Sequence, residues 1–121
     1  MFIEYNIDLL ILNPLINLSF IFTECVNLIE VHNIDKLDTS QEAEMAGMFC
    51  GCEQLTSLPN ISKWDTSNMV NMLALFENCF ELKAFPDISK WNVSKVKDIS
   101  FLFNYCSLIN IITRPFKMGY N

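Results

Sequence analysis

Apolar residues in this chain recur every 27 positions, with no insertion or deletion from one copy to the next. Phe22, Phe49, Phe76 and Phe103 share one register, and each is followed three residues later by a cysteine, at Cys25, Cys52, Cys79 and Cys106. The same step aligns Ile7, Ile34, Ile61 and Ile88, and it brings Leu37 onto Trp64 and Trp91. Further columns join Leu18, Met45, Met72 and Ile99, and Leu28, Leu55, Leu82 and Ile109. A period of roughly 20–50 residues marks an architecture in which each unit buries its apolar face against its neighbours. The pattern predicts an α/β solenoid with function on a repeated surface rather than in a deep pocket.

Within one unit, Asp65, Thr66, Ser67 and Asn68 are N-cap residue types, and Met69, Met72, Leu73 and Phe76 follow at the i, i+3, i+4, i+7 spacing of a helical face. The spacing predicts a short helix here and after Asp38-Thr39-Ser40 and Asn92-Val93-Ser94. Thr39 and Glu42 have the spacing of a capping box. Beyond the helix, Cys52, Leu55, Leu58, Ile61 and Trp64 place an apolar residue at every third position, as do Cys79, Leu82 and Phe85. That run predicts a short strand closed by Pro59 or Pro86, which cannot donate to a continuing ladder. Such strands would stack in parallel about 4.8 Å apart. With only Gly47, Gly51 and Gly119 in the chain, tight turns fall to Asn, Asp and Ser, with Asn78 at the position of Gly51 and Asn104 beside it. The expected units are a degenerate N-terminal repeat or cap at 1–22, repeats at 23–49, 50–76 and 77–103, and a partial repeat with a C-terminal cap at 104–121, all in one domain.

Composition and charge narrow the function. Fourteen acidic against eight basic residues give a net charge of −6, unevenly spread: residues 1–60 hold nine acids and one base, and residues 61–121 hold five acids and seven bases. Direct nucleic-acid binding, which favours a clustered basic face, is not expected. The apolar stretch from Leu9 to Phe22 is interrupted by Asn13, Pro14 and Asn17 and is too short to span a bilayer. No positive n-region precedes it, so the expected location is intracellular, or the cell surface if the start is truncated.

The runs Met48-Phe49-Cys50-Gly51-Cys52-Glu53-Gln54-Leu55-Thr56-Ser57-Leu58 and Ile61-Ser62-Lys63-Trp64-Asp65-Thr66-Ser67-Asn68-Met69-Val70-Asn71-Met72 resemble the BspA-like leucine-rich repeat family. The likeness is clear from about residue 37 to 112. It implies a leucine-rich-repeat-like stack of about four helix–turn–short-strand units with a parallel sheet, and a role in binding other macromolecules without catalysis.

Residue chemistry leads the same way. Four of the five cysteines fall one per repeat, forming a row that cannot surround a metal ion tetrahedrally. A reduced buried column is the favoured reading, with disulfides between adjacent rungs the alternative. Cys50 lies off that row and is the one candidate for an accessible thiol. His32, the sole histidine, aligns with Pro59 and Pro86 and reads as a loop residue without a triad around it. Trp64 and Trp91 read as packing residues, with ligand stacking the alternative. No catalytic residue, metal site or cofactor is expected. The exposed sheet strip should carry Ile29, Glu30, Thr56, Ser57, Lys83, Ala84, Asn110 and Ile111, flanked by Val26, Phe80 and Leu108. This strip points to a non-enzymatic protein–protein interaction module. The alternatives are a small acidic inhibitor or decoy that blocks a nucleic-acid-binding protein or enzyme, and a structural component of a surface layer or virion.

Overall fold

How each unit shares out its backbone amides determines the architecture. A computed structural model describes residues 5–8 and 17–107, except 42, 59 and 85. The amides of Met45, Gly47, Phe49 and Gly51 donate to the carbonyls of Asn71, Leu73, Leu75 and Glu77 in the following unit, at 2.8–3.0 Å. Those between them, Met48, Cys50 and Cys52, donate locally to Met45, Gly47 and Phe49 at 3.1–3.3 Å. The unit before repeats the arrangement from Leu18 to Cys25, and the unit after repeats it from Met72 to Cys79.

This alternation overturns the expected α/β solenoid of helices and a continuous parallel sheet. The described residues are mostly turns and coil, with strands β1 (Tyr5–Asp8) and β2 (Leu28–His32), single 3-10 turns at Ile34–Lys36 and Ile61–Lys63, and no α-helical element. β1 and β2 pair in parallel, and beyond them, among the described residues, only isolated parallel bridges link Asn17, Glu44, Asn71 and Asp98 in succession. Among the described residues no helix is long and apolar enough to cross a membrane.

Left-handed residues are what prevent the helices. Positive φ recurs in two columns of the repeat, Phe20, Gly47, Ala74 and Phe101 in one, and Glu24, Gly51, Asn78 and Tyr105 in the other. A helix cannot pass through such a residue, which for a non-glycine costs roughly 1–2 kcal/mol. The apolar series read as a helical face is instead a chain of turns: Met69, Met72, Leu75, Phe76 and Cys79 are buried, while Leu73 is only half-buried. The Thr39–Glu42 capping box has no helix to cap. Thr39 Oγ1 donates to the carbonyl of Asp65 at 3.0 Å, and Glu42 lies outside the described residues.

The strands expected after Cys52 and Cys79 do not form either, although single bonds persist there: Thr56 N–H donates to Ile29 at 3.3 Å, and Lys83 N–H to Thr56 at 3.2 Å. Pro86, and by its sequence Pro59, has no amide with which to continue a ladder. His32, expected in a loop, is the last residue of β2.

Side chains complete the periodic order. Phe22, Phe49, Phe76 and Phe103 stack with centroids 5.5, 5.6 and 5.3 Å apart and ring planes within 14°. Trp64 stacks on Trp91 at 5.9 Å. Each such pair adds roughly 0.5–1.5 kcal/mol beyond its burial. Polar corners follow one local rule. In all seven Asx-x-Ser triplets, beginning at Asn17, Asp38, Asn60, Asp65, Asp87, Asn92 and Asp98, the serine amide donates to the Asx Oδ1 at 2.9–3.1 Å. At Asp38, Asp65 and Asp87 the serine hydroxyl, followed by this amide, holds the carboxyl below its usual range. At Asp98 the amide leads and the hydroxyl follows, with the same direction. A depressed native pKa favours the folded state above the unfolded carboxyl pKa, and that contribution is lost as pH falls through the native one.

Ala74 and Gly47 test this backbone directly. Ala74 has φ 54°, so Ala74→Gly should stabilise the protein by about 0.5 kcal/mol in urea unfolding, whereas in a helix the same change costs about 1 kcal/mol. Gly47 has φ +59°, and an added Cβ would lie 2.5 Å from Phe20 Cε1, so Gly47→Ala should destabilise by about 1–2 kcal/mol.

Candidate protein-binding strip

Backbone bonds bring three of the expected site residues into one row. Ile29 in β2 accepts from Thr56, and Thr56 accepts from Lys83, so the row advances by one repeat unit at each step. Ile29 and Thr56 are half-buried, while Glu30, Ser57, Lys83 and Ala84 are exposed. Beside the row Val26 is exposed and Phe80 half-buried. Leu108, Asn110 and Ile111 lie outside the described residues.

Past the Lys83–Thr56 bond the two segments part. Between them opens a depression of about 240 Å³ lined by Thr56, Ser57, Leu58, Leu82, Lys83, Ala84 and Pro86. Leu58 and Pro86 were not expected at the site, and the signal for them was the proline that ends the pairing. Phe80 is not among the lining residues. At the outer end of β2, His32 Nε2 lies 3.1 Å from Glu30 Oε2, with both side chains about half exposed.

The thiols and indoles are engaged elsewhere. Cys52, Cys79 and Cys106 are buried, and each Sγ donates to the carbonyl 30 residues earlier, in Phe22, Phe49 and Phe76, at 3.1–3.2 Å. Burial pushes the Cys52 thiol up to about 12 and that of Cys106 up to about 11, and it raises Cys79 as well. Cys25 is half-buried. Cys50 is half-buried too, and desolvation followed by the carboxylates of Glu77 and Glu24 raises its pKa. Trp64 and Trp91 are buried, and their Nε1 atoms donate to Ile34 and Ile61 at 2.8 and 3.0 Å, which leaves no ring face for a ligand. Among the described residues no cluster of three or more His, Cys, Asp or Glu could hold a metal ion.

Exposed aromatics lie where sequence reading did not look. Phe20, Phe101 and Tyr105 are more than half exposed and occupy the left-handed columns, so their side chains follow from a backbone that helical periodicity does not describe.

A family model described as Mycoplasma protein of unknown function, DUF285, matches residues 16–118, and the chain belongs to that family. No curated protein and no solved structure matches it.

Burial and raised thiol pKa values give a chemical prediction. At pH 8, brief iodoacetamide treatment of the native protein followed by peptide mass spectrometry should leave Cys52, Cys79 and Cys106 unmodified, with all three alkylated in denaturant. Native labelling of Cys79 at the denatured rate would contradict the assignment.

Proposed function

We propose that the chain is a non-enzymatic interaction module that binds a protein through the row from Ile29 through Thr56 to Lys83. The observation that carries this reading is the depression between residues 56–58 and 82–86, which opens on that row and combines apolar walls with an exposed lysine. Protein interfaces gain most of their energy from a few anchors seated in such pockets. The engaged cysteines and tryptophans support a binding role over a chemical one. The resemblance to BspA-like leucine-rich repeats adds the expectation of a macromolecular partner.

The decisive variant is Thr56→Arg with Ala84→Arg, which crowds the depression without removing a buried apolar group. Against a partner isolated from the host and identified by mass spectrometry, it should weaken binding at least tenfold and leave the thermal midpoint unchanged. Undiminished binding by the double variant would overturn the strip. Binding that instead collapses at raised salt would favour an acidic decoy, because exposed charge pairs are screened.

A further inference from the structure

Size, wall chemistry and charge together define what the depression takes. At about 240 Å³ it is smaller than the roughly 300–1,000 Å³ of small-molecule sites, a volume suited to one bulky side chain. Its walls include Leu58, Leu82, Ala84 and Pro86, and its floor is firm because Leu82 is buried in the core. Among the described residues Lys83 is the one charged residue in the lining. It is exposed, and among the described residues no carboxylate pairs with it. Serine and alanine backbone complete the site: among the described residues neither Ser57 nor Ala84 has a backbone hydrogen-bond partner.

We propose that the depression seats a single aromatic side chain of an extended peptide and that a carboxylate beside that aromatic meets Lys83, so the partner presents an acidic–aromatic motif. This rests on the strip reading and adds the chemistry of its partner. The peptide backbone bonds to the unpaired backbone groups of Ser57 and Ala84, giving affinity, while the aromatic and the acid give specificity. Lys83, exposed at the rim, contributes attraction without the desolvation cost that burial of a charge would impose.

Titration of the full chain with capped hexapeptides, followed through the NMR shifts of the Ser57, Leu58 and Ala84 amides, tests the assignment. The probes carry a tryptophan between two glutamates, a tryptophan between two lysines, or an alanine between two glutamates. The first should bind at least tenfold more tightly than either of the others. Lys83→Glu should reverse the preference toward the lysine peptide, and Ala84→Phe, which fills the depression, should abolish both. Equal binding of the three peptides, no shift with any of them, or a preference unmoved by Lys83→Glu overturns the proposal. A protein partner lost in the Thr56→Arg, Ala84→Arg variant but not displaced by the glutamate–tryptophan peptide overturns the motif alone. A partner indifferent to that variant overturns the strip as well.

Discussion

A backbone amide in this chain has two competing outlets, a carbonyl within its own turn and the facing carbonyl of the next unit, and successive amides take them alternately. A helix would spend every amide locally, and a sheet interior would spend them between segments. Using both at alternate positions demands left-handed backbone at two columns per unit, which the chain fills with Gly47 and Gly51 in one copy and with Ala, Asn, Glu or aromatic residues in the others. The strain of those residues is offset because the arrangement gives the buried amides of Phe49, Cys52, Phe76 and Cys79 a carbonyl partner, and an unsatisfied one costs about 1–3 kcal/mol.

Side-chain donors extend the same logic. Three thiols and two indoles reach carbonyls 30 residues earlier, so the polar atoms of otherwise apolar columns are satisfied inside the core. A free thiol at the cysteine position gives a small apolar group with a weak donor, which is what a buried site facing a carbonyl needs. At the outer corners the Asx-x-Ser turns satisfy amides that no neighbouring unit reaches.

The period was legible because a column of like side chains, one per unit at a fixed register, needs no knowledge of local conformation. The Phe and Trp columns follow from it and are stacked in the structure. Local conformation was not legible in the same way. Apolar residues at spacings of three and four fit a helical face and also a run of successive turns, and Met69, Met72 and Phe76 are buried in both cases. What separates the two is φ at Ala74, a residue whose type favours the helix and gives no warning. The Asp-Thr-Ser runs invite a similar error, since N-caps and Asx turns use the same side-chain oxygen in the same way. At the strip, the row of Ile29, Thr56 and Lys83 could be read from register, whereas the depression beside it could not, because it arises where paired segments separate before a proline.

The alternating backbone stands or falls on where particular amides point. Through-hydrogen-bond scalar couplings between ¹⁵N and ¹³C′ assign each donor to its acceptor without reference to any side chain. Coupling should connect the amides of Gly47, Phe49 and Gly51 to the carbonyls of Leu73, Leu75 and Glu77, and those of Cys50 and Cys52 to Gly47 and Phe49. Couplings from consecutive amides to carbonyls four residues back would restore the helix and contradict the alternating backbone described above.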